Sequence, residues 1–365
     1  MTAPTPTHEA TAGGTGLRRR ELAIVATAVV VTLIAGWMTI GPGPSAASFA
    51  VSALALAMLA WLVSFATEQL GERMGPEGTG LLQSTLGNLP EFFVVLFALR
   101  EGQTLVATTS IIGSIFANAL LVLGITIVVG AMRAPGGVMK FGARLPSDTA
   151  TLLLLAVFLI VSIGIATTSQ DRAADDANAI SIVGAIAMLV VYAMWVRSYV
   201  FGGAKGDPSH GAPRVGLVMT LGLLALAGAG AAFVSEWFVE GLQPAIDALG
   251  ISAAFAGLVI VAIAGNAIEN ATAVVLAAKG QHDLAISVVK NSVAQIAVFL
   301  FPLLVLVSQL FDDPLTFSMA PIWIGALALT AIIVWQVTGD GQAAAWEGAA
   351  LIAFYVILAT IALYE

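Results

Sequence analysis

The sequence contains no cysteine among its 365 residues, and only 10% of them are charged. Without cysteine there is no disulfide, no thiol nucleophile and no thiolate metal site. A soluble domain carries roughly 25% charged residues, so this charge content excludes an ordinary soluble fold. Histidine is equally sparse. His8, His210 and His282 all fall in expected tails or loops, which argues against histidine-based catalysis or a buried histidine metal centre. The net charge of −8 argues against nucleic acid as a partner.

What is present is apolar sequence. Hydrophobic residues make up 59% of the chain, and the mean hydropathy is +0.98. A crossing of the bilayer takes about 20 apolar residues. Eleven such spans are expected, near 21–40, 46–70, 80–99, 104–131, 147–167, 178–200, 215–241, 252–278, 284–309, 320–337 and 344–363. Residues 1–20 read as a disordered tail, rich in Thr, Ala, Gly and Pro up to residue 17. The basic run Arg18, Arg19, Arg20 ahead of an apolar stretch resembles a signal peptide, but the run from Leu22 to Ile40 is too long for one and reads as a retained first helix.

The basic residues assign the sides. With the N-terminus inside, 11 of the 14 Lys and Arg residues fall in inner segments, while Arg100 and Arg172 fall outside and Lys290 lies within a span. This is the asymmetry of the positive-inside rule. It predicts a cytoplasmic N-terminus, an outer C-terminus and a multi-pass protein of a bacterial-type plasma membrane.

The third span carries an anomaly, "GNLPE" at residues 87–91, and the eighth carries "GNAIE" at 265–269. Offset by 178, the two regions share seven identities across 28 residues: Gly87, Asn88, Glu91, Gly102, Gln103, Ala107 and Ser114 recur as Gly265, Asn266, Glu269, Gly280, Gln281, Ala285 and Ser292. Upstream, Glu68 and Glu72 match Glu236 and Glu240 after a ten-residue insertion. The second and seventh spans run in opposite directions. The expected fold is therefore all-α: one N-terminal helix, a five-helix repeat over 46–200, a linker at 201–214, and an inverted five-helix repeat over 215–363. Inverted repeats are a signature of secondary transporters, with the site near the membrane midplane on interrupted helices.

A carboxylate at a helix centre costs about 2.5–3.5 kcal/mol on insertion scales, so Glu91 and Glu269 need a reason to be there. Two carboxylates facing one another in a low-dielectric site cannot both stay charged without a cation; otherwise they take up protons. That competition is the chemistry of a cation/proton antiporter. Hard divalent cations bind oxygen. Asn88 and Asn266 lie three residues before each Glu, and Ser114, Ser292 and Gln295 on the following helices can add oxygens. Gly87 and Pro90 predict a break in the third span, because Pro90 clashes with the Leu86 carbonyl. An intramembrane protease would pair a serine with a general base, but Ser292 and Lys290 are two residues apart and do not share a helix face. The chain does not read as an enzyme, and no cofactor is expected.

These residues, with the flanking "SFATEQLGERMGPEGTGLLQST", "FVSEWFVEGLQPAIDALGISAAFAGLVIVAIA", "GSIFANALLVLG" and "NSVAQIAVFLFP", resemble the calcium/proton exchanger family of the calcium/cation antiporters across nearly all the chain after residue 45. The resemblance implies that Glu91 and Glu269 bind Ca²⁺ and protons alternately. It implies supporting oxygens from Asn88, Asn266, Ser292 and Gln295, and acidic residues in the access paths at Glu68 and Glu236, relevant to proton passage and gating. It also implies alternating access, with spans 1, 2, 6 and 7 moving against a four-helix core. Two departures stand out: Asn270 occupies a position that is often histidine, and Lys290 precedes the serine motif, where its amine either snorkels to the interface or pairs with a site carboxylate. The alternative of the same fold is a Na⁺-coupled, Na⁺/H⁺ or Mn²⁺/H⁺ exchanger. The expected partners are the transported cation, protons and the bilayer; an oligomeric state is not legible.

Overall fold

The computed structural model describes residues 16–202 and 214–365. The side chains of residues 71–85, 145, 199–202, 268 and 269 are outside the described set. The expectations for the first fifteen residues, for most of the linker, and for the side chains of Glu72 and Glu269 therefore lie outside the described residues.

The chain is helical almost throughout. In order, the helices are α1 (Arg19–Ile40), α2 (Ala46–Leu86), α3 (Leu89–Arg100), α4 (Thr104–Arg133), α5 (Arg144–Thr168), α6 (Ala177–Gly202) and α7 (Leu217–Leu249). They continue with α8 (253–278), α9 (His282–Ser308), α10 (Pro321–Thr338) and α11 (Ala345–Leu363). Among the described residues, nine helices are long and apolar enough to cross a membrane, and a tenth crossing follows if the bent α8 counts as one span.

With α8 counted, the difference from eleven lies at one place. Residues 80–86, expected to begin the third span, belong to α2, and the helix stops before Gly87 and Asn88. α3 is then only 12 residues long. Pro90 sits in the first turn of α3 rather than inside a helix. That is a position where its missing N–H costs nothing and its fixed φ suits the helix. The expected interruption is there, but as a stop and restart instead of a kink around the Leu86 carbonyl.

The motifs after the break repeat in backbone detail. Gly102 has φ +69° and Gly280 has φ +76°, conformations that glycine adopts without steric cost. Around the first, Gln103 N–H donates to the Ala98 carbonyl at 2.7 Å; around the second, Gln281 N–H donates to the Leu276 carbonyl at 3.0 Å. Both pairs are 178 apart in the chain. The next helices then widen into π turns at Ala117–Val122 in α4 and Ile296–Leu300 in α9, again at matching offsets. π turns are rare, and they concentrate at functional sites.

α2 packs along α7, and α1 lies against both. Phe49 stacks on Phe238 with ring centroids 4.5 Å apart. α4 crosses α8 so closely that a Cβ at Gly113 would have no room against the Leu258 backbone. The deepest core lies in this second group: Ile111, Ile115, Phe116, Leu123, Ile296, Phe301 and Leu304 are fully buried. A two-stranded antiparallel ladder, β1 (Val138–Lys140) with β2 (Gln342–Ala344), ties the α4–α5 loop to the α10–α11 loop, Met139 facing Ala343.

Candidate functional site

The two short motifs meet although 178 residues separate them. A Cβ at Gly265 would stand 3.8 Å from the Cβ of Glu91. Asn88 Nδ2 donates to Gln295 Oε1 at 3.3 Å, joining the start of α3 to α9. Asn266 Nδ2 donates to Ser114 Oγ at 3.0 Å, joining α8 to α4. It also donates to the Ala262 carbonyl at 3.0 Å. Each asparagine thus bonds a side chain on the other half of the chain. Neither amide's Oδ1 takes part in these bonds, whereas Gln295 Oε1 and Ser114 Oγ are engaged by them.

The remaining expected oxygens divide. Ser292 Oγ is buried and accepts no hydrogen bond among the described residues. Asn88, Asn266 and Ser292 are 4%, 2% and 3% exposed, so the cluster is interior. Buried polar atoms are nearly always satisfied by protein or water, and an uncommitted hydroxyl here fits a place where an ion or water sits.

Glu91 is buried, 5% exposed, and lies in the first turn of α3. The sequence placed it near the centre of a long span; the stop before Gly87 instead makes it an N-terminal residue. That location sets its carboxylate beside the partial positive charge and unpaired N–H groups of a helix N-terminus. At the second motif, α8 bends by 63° between residues 267 and 270. The first copy thus stops and restarts its helix, whereas the second, which lacks proline, bends without a stop.

Glu68 and Glu236, expected in the access paths, are not part of this cluster. Glu68 is exposed on α2. Glu236 on α7 forms an ion pair with Arg100 at 3.0 Å, the side chains 30% and 57% exposed. Arg100 closes α3, so the pair pins the outer-predicted end of α3 to α7. Lys290 is 1% exposed, which rules out snorkelling to the surface. It forms no ion pair with any described side chain.

Sequence reasoning missed Asn118. It is 1% exposed, lies in the π turn of α4, and donates to the Ser114 carbonyl at 3.0 Å. An asparagine in the middle of "SIFANALLVLG" was the available signal. It also missed the polar knot where α1, α2 and α7 meet. There Glu21 pairs with Arg214 at 3.1 Å, and Gln69 Oε1 accepts from the backbone N–H groups of Arg214 and Val215.

Comparison with known proteins follows the same lines. The family described as "Sodium/calcium exchanger protein" matches residues 44–200 and 219–364. A Ca²⁺/H⁺ antiporter of Synechocystis sp. is 31% identical over 331 residues, covering 85% of this chain and 89% of that protein. The Ca²⁺/H⁺ antiporter ChaA of Bacillus subtilis is 32% identical over 351 residues, covering 92% and 96%. The solved structure of native YfkE superposes with a TM-score of 0.77 at 29% identity, covering 94% of this chain and 99% of that one. Two family segments, each holding one copy of the Gly-Asn-x-x-Glu motif, thus account for most of the chain, which belongs to the sodium/calcium exchanger protein family.

Proposed function

We propose that the protein is a secondary antiporter exchanging Ca²⁺ for H⁺ by alternating access, with Glu91 and Glu269 as the groups that hold cation or protons in turn. The observation that carries this reading is the meeting of the two motifs: Asn88 with Gln295, Asn266 with Ser114, and Glu91 against Gly265. Asn88 and Asn266 supply amide oxygens, and Ser292 supplies an uncommitted hydroxyl. Carboxylate plus neutral oxygen is the ligand chemistry of Ca²⁺. The names of the relatives in Synechocystis and Bacillus point to the same exchange.

The same reading includes eleven crossings in two inverted halves. Contacts between helix ends support it, because they join only ends that an alternating path puts on one side. At one end Arg133 donates to the Ala278 carbonyl, Gly142 N–H donates to Asp283, β1 pairs with β2, and Arg214 meets Glu21. At the other, Asn178 donates to Gln309, Ser252 donates to the Ala362 carbonyl, and Val106 near the start of α4 lies against Gly257 near the start of α8. The stretch from Gln69 to Arg100 begins at the first end and finishes at the second, so α3 with the break before it completes a crossing.

The test is ⁴⁵Ca²⁺ uptake into proteoliposomes under an imposed pH gradient. Wild-type protein accumulates Ca²⁺. Glu91→Gln lowers the rate by at least 100-fold while the purified protein keeps its size-exclusion profile. Wild-type rates in Glu91→Gln protein overturn the site. Ca²⁺ flux driven by a Na⁺ gradient at clamped pH overturns the coupling ion.

A further inference from the structure

α8 and α9 are antiparallel neighbours joined by the turn at Gly280. At 1.5 Å per residue, Asn270 lies roughly 12 Å before the end of α8 and Asn291 roughly 14 Å after the start of α9. The two asparagines are therefore level. Farther from the joining turn, Asn266 lies past the bend in α8 and Gln295 one turn on in α9, and those two are bonded to Ser114 and Asn88. Asn291 and Gln295 are four apart in regular α-helix, so they share a face. Asn270 directly follows Glu269, just past the 63° bend. The α8–α9 hairpin thus has two amide rungs, one engaged in the central site and one below it.

The lower rung is uncommitted. The carbonyl oxygens of Asn270 and Asn291 are both buried, and neither accepts a hydrogen bond among the described residues. A buried amide oxygen with no partner loses roughly 1–3 kcal/mol, so two at one level mark a place that something else satisfies. The opposite hairpin shows what the alternative looks like. Offset by 178, Asn270 corresponds to Phe92 and Asn291 to Gly113. Phe92 packs edge-on to Phe93, and Gly113 is pressed against the Leu258 backbone. In α3–α4 that level is apolar; in α8–α9 it carries two amides whose oxygens the described residues do not satisfy.

We infer that Asn270 and Asn291 form a second, uncharged cation-binding step one helical turn from the central site, on the side of the α8–α9 turn. Its ligand is a partly dehydrated hard cation, here Ca²⁺, which exchanges water for the two amide oxygens before it reaches the carboxylates. The inference rests on the cation-exchange reading above, and it makes the protein asymmetric: a cation approaching from the opposite end meets no such step.

The experiment uses the full-length protein in proteoliposomes, with ⁴⁵Ca²⁺ presented from one side at a time. Asn291→Ala and Asn270→Ala each raise the Ca²⁺ concentration for half-maximal exchange about 10-fold from the α8–α9 turn side and leave the opposite side unchanged. Equal weakening from both sides, or none from either, overturns the step. Because the chain has no cysteine, Asn291→Cys carries a single thiol. A membrane-impermeant thiol reagent labels it from the turn side, and Ca²⁺ slows the labelling. Absence of labelling, or labelling that Ca²⁺ does not slow, also overturns it. A wild-type protein that moves no Ca²⁺ under a pH gradient defeats the exchange reading itself; side-independent variants in an active exchanger defeat only the step.

Discussion

A single side chain decides more here than its size suggests. Lys290 is among the largest fully buried side chains, and it forms no ion pair with any described side chain. A buried ammonium forfeits its hydration, and only pairing and hydrogen bonds recover the loss. Methionine matches its length without the charge. Lys290→Met protein is expected to melt at or above the wild-type temperature in detergent, measured by intrinsic fluorescence. A melting temperature several degrees lower shows instead that the ammonium neutralises a carboxylate of the site. Glu91 makes the complementary point. Its residue type and motif were plain in the sequence, but its position in the first turn of α3 was not. Leu81, Leu82 and Leu86 keep the stretch before the motif apolar enough to read as the start of a span, and hydropathy alone does not see a helix end there.

At the scale of the element, glycine position separates tight crossings from open surface. α4 meets α8 where Gly113 faces the Leu258 backbone and Gly257 faces Thr109. Small residues at such crossings let membrane helices approach. Gly113→Ala forces a methyl into backbone that cannot yield, and overpacking of this kind costs about 1–3 kcal/mol. Gly228 in α7 has nothing within 4 Å of its would-be Cβ, and alanine in a helix gains about 0.5–1 kcal/mol over glycine. A lower melting temperature for Gly113→Ala, with an unchanged or higher one for Gly228→Ala, is the expected pair of results. The π turns belong to this scale too. They occur at matching places in α4 and α9, yet "ANALLV" and "IAVFL" carry no shared letter pattern that announces them.

For the whole molecule, the contacts at its two ends make a prediction about sides. Arg172 lies in the exposed loop between α5 and α6, and Lys279 in the exposed turn between α8 and α9. Arg172→Cys is expected to react with an impermeant thiol reagent in intact cells. Lys279→Cys is expected to react only after permeabilisation. The reverse result inverts the proposed orientation; labelling of both in intact cells breaks the alternating path.

The sequence by itself determined the class, and it displayed a motif carried twice, with the candidate site residues around it. Sparse charge and long apolar runs leave a chain nowhere but a bilayer to fold. A polar motif carried twice at depth is too costly to be accidental. The sequence could not determine which atoms of those residues are free. Only the tertiary structure pairs Asn88 with Gln295 and Asn266 with Ser114, leaving Ser292, Asn270 and Asn291 with buried, uncommitted oxygens. Hydropathy and spacing fix which helices exist and which faces are polar. Which polar atoms satisfy one another depends on contacts between helices more than a hundred residues apart, and those form only when the two halves close on each other.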